Sequence, residues 1–290
     1  MRRALLLLAL ALPFSAQAAE PVKVLTSFSI LADMTRQIGG DHIILNNLVG
    51  PDSDAHTYET TPADGKQVLA ADLIVENGLQ FEPWLDRLVA STETHAKVIK
   101  ASEGVLPRTL EEDGQTIPDP HAWNSLANAR IYAANILKGL DAVDPAHAAD
   151  YQRNHDAYVA KIDELLKVAS KTFGSLPPGN KRIVTSHDAF GYLGQAYGIQ
   201  FIAPQGLSTE REATAADVAG LVRQIRNEHI KAVFMENISD TRLLKQIAEE
   251  SGARIGGTLY SDALSAEGPA STYLGFYRSN IETLGKALAQ

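Results

Sequence analysis

Short apolar strands alternating with helices, twice over, predict an α/β protein of two doubly wound lobes joined by one long rigid helix. Strand–helix alternation fills the chain up to about residue 143, and after about 174 it resumes with the same architecture and a different sequence. Between the two runs lies an uninterrupted helical stripe, 144–173. Its apolar and aromatic residues Tyr151, Tyr158, Ile162, Leu165, Leu166, Ala169 and Phe173 recur mostly at spacings of three, four or seven, with charged residues on the other faces. Asp144 reads as the N-cap and Pro145 as the first helical residue, where a missing N–H is harmless. Gly174 and Pro177 stop the helix. At ~1.5 Å per residue it would be roughly 40 Å long, the span of a small domain.

In the first lobe, 19–143, strands are expected at 22–26, 42–49, 73–75 and 97–99, with helices at 30–38, 62–69, 81–88 and 125–140. Gly39-Gly40, Gly50-Pro51-Asp52 and Asn77-Gly78 supply the breaks. A polar loop, 111–120, leads to His121. In the second lobe, 174–290, strands are expected at 182–185, 201–202, 232–235 and 254–259, with helices at 189–197, 215–228, 242–250 and 273–288.

Residues 1–18 read as a secretory signal. Arg2-Arg3 is its positive end, 4–14 its apolar segment, and Ala16-Gln17-Ala18 a small-residue cleavage motif before Ala19. The apolar run is too short to span a membrane. The sequence has no cysteine, so no lipid-bearing Cys follows the cleavage site and no disulfide can form. The expectation is a periplasmic protein without a lipid anchor. The formal charge is −9, and −11 once Arg2 and Arg3 leave with the signal, which excludes the basic footprint of a nucleic-acid binder.

His56, His121, His187 and Asp262 share one feature: each falls in a loop beyond the C-terminal end of an expected strand, two in each half. Open α/β sheets bind ligands outside the carboxyl ends of their strands, so two facing lobes could bring all four to one cleft. Three imidazoles and one carboxylate make a closed tetrahedral set for a divalent ion. His42, His95, His147, His155 and His229 read instead as surface or locally hydrogen-bonded residues.

Asp54-Ala55-His56-Thr57-Tyr58-Glu59, Asp119-Pro120-His121-Ala122-Trp123, Thr185-Ser186-His187-Asp188-Ala189-Phe190 and Leu259-Tyr260-Ser261-Asp262-Ala263 occur in that order along the chain. They resemble the four ligand segments of the zinc- and manganese-binding periplasmic receptors of ABC importers. The stretches 71–79 and 206–212 match in style, so the resemblance covers essentially the whole chain after the signal. It implies a two-lobed fold bridged by one long helix, His56, His121, His187 and Asp262 as metal ligands, and an ABC importer membrane permease as partner.

In that family a His at the third position is similar to the zinc binders and a Glu to the manganese binders; here it is His187. Imidazole suits zinc and oxygen donors suit manganese, so zinc is the expected cargo and manganese the alternative. The 111–120 loop carries no histidine, unlike the long His-rich loop of many zinc-receptor relatives. This implies a zinc-receptor branch without that loop, loaded with help from a periplasmic zinc metallochaperone. Glu59 reads as a solvated loop acid or an outer carboxylate, Asp188 as a helix N-terminal residue, and Trp123 as a roof over the site or a plain core aromatic. Glu236 could orient a ligand His through its second nitrogen.

The competing class is a periplasmic metallohydrolase. A catalytic zinc keeps a position open for water, which four protein ligands would close. No His-Glu-x-x-His, Gly-x-Ser-x-Gly or phosphate-binding glycine loop is present. The expectation is therefore a monomeric binding protein and not an enzyme.

Overall fold

The computed structural model describes residues 20–112, 115–177 and 181–289; the expected signal, 1–18, lies outside them. β1 (Val22–Phe28), β2 (Ile43–Val49), β3 (Leu73–Glu76) and β4 (Lys97–Lys100) form a parallel sheet in the order β2-β1-β3-β4. β5 (Thr109–Glu112) and β6 (Gln115–Pro118) make an antiparallel hairpin. β7 (Arg182–Val184), β8 (Gln200–Ile202), β9 (Ala232–Glu236) and β10 (Arg254–Leu259) form a second parallel sheet in the order β10-β9-β7-β8.

The connecting helices are α1 (Ser29–Gly39), α2 (Pro62–Ala70), α3 (Pro83–Thr92) and α4 (Leu126–Val143) in the first half, then α5 (Ala148–Gly174). α6 (Gly191–Tyr197), α7 (Ala215–Asn227), α8 (Thr241–Ser251) and α9 (Tyr273–Leu288) follow in the second. In each sheet the strand order reverses beside its first strand, at β1/β3 and at β7/β9. Such a reversal opens a crevice at the carboxyl ends of the strands.

α5 is the expected long helix, roughly 40 Å at ~1.5 Å per residue. It buries Tyr151, Tyr158, Ile162, Leu165, Ala169 and Phe173 against α4, α1 and α9, while Leu166 is half-buried. It starts at Ala148, because Pro145–His147 is a 3-10 turn. The Asp144 carboxylate closes that turn by accepting from the Tyr151 hydroxyl and contacting His147 Nδ1, both at 2.7 Å. Part of the segment expected as a polar loop is the β5–β6 hairpin. With few apolar residues in two four-residue strands, it shows no period from which to read it.

One continuous hydrophobic core runs from β1 and β3 through α4, α5 and α9 to Ile183, Phe234 and Leu259 of the second sheet. A smaller core lies between that sheet and α7 and α8. The halves therefore share buried apolar surface as well as a connecting helix, which restrains their relative motion.

Glu82, just ahead of α3, shows what the tight turn after β3 demands. Its buried carboxylate accepts from the Ser27 hydroxyl and from the N–H groups of Asn77 and Gly78. Burial nevertheless pushes its pKa from 4.5 up to about 8, with the Glu76 carboxylate adding to the rise. Over that window the unfolded chain gives up a proton that the folded chain keeps. Glu82 thus lowers stability by about 1.4 kcal/mol for each pH unit between roughly 4.5 and 8, with no further change above. The stability difference between the wild type and Glu82→Gln, followed by urea unfolding across pH, should carry that slope. Glu82→Gln, which cannot ionise, should lose the slope and keep only a constant offset from the bond to Gly78.

Candidate metal centre

His56 follows β2, in a loop that ends where Thr61 and Asp64 form the capping box of α2. The His56 N–H donates to Asp54 Oδ1 at 2.9 Å, fixing the turn. His121 follows the hairpin and begins the 3-10 turn Ala122–Asn124. His187 lies just beyond β7 and Asp262 just beyond β10. All four expected residues sit on the carboxyl side of their strands and meet between the halves.

The meeting is close. His56 Nε2 is 3.3 Å from His121 Nε2 and 3.4 Å from Asp262 Oδ2. His187 Nε2 is 2.9 Å from Asp262 Oδ2, and His121 Nε2 is 3.7 Å from Asp262 Oδ1. The four donor atoms all lie within 4.8 Å of one another. A tetrahedral ion with ~2.0–2.1 Å bonds sets its donors ~3.3 Å apart, close to most of these separations. His121, His187 and Asp262 are 0 % exposed and His56 is 7 %. His187 Nε2 and both Asp262 oxygens have no aligned hydrogen bond. Buried polar atoms left in that state are costly, and a cation among them would satisfy all at once.

Each of two rings has a carboxylate at its other nitrogen. Asp119 Oδ1 lies 2.9 Å from His121 Nδ1, and Glu236 Oε2 lies 2.8 Å from His187 Nδ1. Glu236 is itself held by the N–H groups of Ser186 and His187 through Oε1. At His121 the carboxylate hydrogen-bonds Nδ1, which keeps the proton there and leaves the Nε2 lone pair for a metal; the His187–Glu236 contact is close but not an aligned hydrogen bond.

Burial disfavours charge on His56, His187 and Asp262, with different net results. His56 is lowered, mainly by burial. For His187 burial is outweighed by Glu236 and Asp262, and its pKa rises well above the ordinary value. Asp262 is likewise opposed by burial, yet the His187 and His121 rings hold it far below the usual carboxylate range. Both shifts favour the charged forms of His187 and Asp262.

Aromatic rings wall the site. Phe81 meets His56 edge-on at 4.7 Å, and Trp123 meets His121 at 5.3 Å. Phe81 is brought round by left-handed backbone at Gly78, Leu79 and Gln80 (φ 80°, 54° and 64°), uncommon for the two non-glycines. A pocket of about 170 Å³ opens beside His56, lined also by Leu79, Phe81, Pro120, Leu207 and Glu210. His56 is thus the member nearest to solvent.

The loops are stitched across the halves. Asp52 N–H donates to the Leu264 carbonyl, while its carboxylate accepts from Ala266 N–H and Asn237 Nδ2, all at 2.9 Å. Thr209 Oγ1 donates to Asp54 Oδ2.

Among the other expected residues, Glu59 is exposed. Asp188 precedes α6 by three residues and lines a groove beside Arg108. His147 and His155 contact the nearby Asp144 and Asp156, while His42 contacts Asp150 on α5, 108 residues away. The sequence reading gave Asp119 and Phe81 no part. An acid two residues before a ligand-like His was the available signal for Asp119; nothing local marks Phe81.

An α/β binding protein with two parallel sheets and a buried cluster of three imidazoles and one carboxylate that could hold a metal ion is the class this fold and site define. Known proteins agree. The family model described as zinc-uptake complex component A, periplasmic, matches residues 24–287. The iron-binding protein YfeA of Yersinia pestis is 34 % identical over 274 residues, 94 % of this chain and 88 % of that protein. The manganese ABC transporter substrate-binding lipoprotein PsaA of Streptococcus pneumoniae is 34 % identical over 282 residues, 94 % and 91 % of the two chains. Among solved structures, the periplasmic zinc binding protein TroA from Treponema pallidum superposes with a TM-score of 0.88 at 30 % identity, covering 94 % of this chain and all of that one. The Mn-bound periplasmic metal binding protein from Candidatus Liberibacter asiaticus gives 0.83 at 33 %, covering 92 % and 99 %. The chain belongs to the ZnuA family of periplasmic metal-binding proteins, the substrate-binding components of ABC transporters. They are not enzymes.

Trp123 joins the second and fourth of these loops: its indole N–H donates to the Ser261 carbonyl at 2.8 Å, at 0 % exposure. Trp123→Phe keeps most of the ring and strands that carbonyl. It should lower stability by about 1–3 kcal/mol in urea unfolding of the metal-free protein.

Proposed function

We propose that this protein captures zinc with His56, His121, His187 and Asp262, and delivers it to the permease of an ABC importer. The observation that carries the reading is the buried convergence of three imidazole Nε2 atoms on one carboxylate. Three nitrogens and one oxygen favour zinc over manganese, which prefers oxygen donors. Manganese is the second reading, supported by the relatives named for it. In this reading the lobes are 19–143 and 174–290, with 144–173 as the connection between them.

Several relatives are named as lipoproteins, whereas this sequence has no cysteine to carry a lipid. We read it as a periplasmic protein that docks on its permease to deliver the ion. Delivery by a metallochaperone gains no support from the relatives, whose names describe only the receptor.

A ligand imidazole must offer a free lone pair, so protonation of the histidines competes with the ion and affinity should fall as pH is lowered. His187→Ala removes a donor and leaves Asp262 without its nearest partner. In competition titration against a zinc chelator its affinity should fall by more than the ~10–100-fold that loss of an outer partner costs. Unchanged binding would refute the assignment. Elemental analysis of protein purified from the periplasm should find zinc near one equivalent. A zinc–manganese competition in which manganese prevails would select the second reading.

A further inference from the structure

The β5–β6 hairpin does more than fill a loop. Its ladder pairs Thr109 with Pro118, and one step further the Asp119 N–H donates to the Arg108 carbonyl at 2.8 Å. Arg108 and Asp119 are therefore cross-strand neighbours. Arg108 Nη1 donates to Asp119 Oδ2 at 2.8 Å, while the other carboxylate oxygen faces His121 Nδ1 and accepts from the His121 N–H at 3.0 Å. Asp119 and His121 are both 0 % exposed. One guanidinium, one carboxylate and one imidazole form a line ending at the cation cavity.

The far half of the protein holds the outer end of that line. Arg108 lies over the Tyr192 ring, with its guanidinium carbon 5.6 Å from the centroid. Tyr192 Oη accepts from the Arg108 N–H at 3.0 Å and donates to the Asp119 carbonyl at 2.9 Å. The guanidinium also crosses the first residue of α6, Gly191, at a place where no side chain fits. A Cβ there would fall 1.1 Å from Nη1. Glycine at 191 is explained by this passage, since its backbone is not left-handed.

We propose that Arg108 is a positioning residue of the metal centre. Through Asp119 it fixes the His121 ring so that Nε2 faces the ion, and α6 keeps Arg108 in place. The inference rests on His121 being a ligand. A free carboxylate can rotate about two bonds; one held by a charged donor on one oxygen and an N–H on the other cannot, and the ring it holds is fixed with it. Because Arg108 comes from the first half and its support from the second, alignment of His121 depends on contact between the halves.

The test compares Arg108→Gln, Arg108→Lys, Gly191→Ala and the double variant Arg108→Gln/Gly191→Ala with the wild type, using zinc competition and the visible absorption of the Co²⁺-loaded protein. Arg108→Gln should weaken zinc binding by about tenfold, the lower part of the range for outer partners of metal ligands, and shift the Co²⁺ bands. Arg108→Lys, which keeps a charged donor, should recover most of the loss. Gly191→Ala, whose methyl displaces the guanidinium, should match Arg108→Gln. The double variant should lose no more than either single one, because both remove the same interaction.

Wild-type zinc affinity and Co²⁺ bands in both Arg108→Gln and Gly191→Ala, or losses that add in the double variant, would overturn the proposal, as would a lowered melting temperature with unchanged binding. If Arg108→Gln does not fold, Arg108→Lys and Gly191→Ala decide by the same criteria. His121→Ala separates the two levels. If it binds zinc like the wild type, the ligand assignment itself fails and the proposal with it; if it binds weakly while Arg108→Gln does not, only the role of Arg108 fails.

Discussion

A carboxylate sealed from water with no hydrogen bond of its own is the constraint around which this protein is built. Asp262 lies at 0 % exposure with three imidazoles around it. An isolated buried carboxylate would be intolerable, and a pair with one imidazolium is only partial compensation. The fold must therefore bring cationic or metal-binding partners to Asp262 and hold them there. The Asp119 and Glu236 carboxylates, the edge-on aromatic rings and the bonds from Asp52 all bear on the orientation of the loops that supply those partners.

That requirement accounts for the architecture between the two sheets. Donor atoms held 2.9–3.7 Å apart need surroundings that do not drift by an ångström. Here the surroundings are a single apolar core passing through α4, α5 and α9. The Tyr273 N–H at the start of α9 donates to Asp33 on α1, and the Tyr273 hydroxyl donates to the Trp123 carbonyl at 2.6 Å. The last helix thus ties both the first helix and the second ligand loop to its own N-terminus. A structure of this kind favours small rearrangements of loops over wide opening of the halves.

Much of this was legible in the sequence because its signals are local. The apolar stripe from Tyr151 to Phe173 needs only helical periodicity to be read, and the parallel strands need only short apolar runs between breakers. His56, His121, His187 and Asp262 were legible through their positions after strands and through a family resemblance. Their convergence was not, since it depends on how two sheets face each other. The α-helix starts three residues later than expected, because Pro145–His147 is a 3-10 turn whose Asp144 carboxylate is held by the Tyr151 and His147 side chains, contacts that sequence spacing does not reveal. The β5–β6 hairpin was missed for want of an apolar alternation. With it went Arg108, whose significance depends on a cross-strand register and on a glycine more than eighty positions away.

The stitching at Asp52 has a consequence for synthesis. Its partners at Asn237, Leu264 and Ala266, like Asp262 itself, come from the last fifth of the chain. A chain without them keeps three histidines, two of them beside the Asp119 and Glu236 carboxylates, and the Thr209–Asp54 bond, but it lacks Asp262 and the three bonds at Asp52. The cluster of three imidazoles and one carboxylate is complete only once the last fifth of the chain is in place.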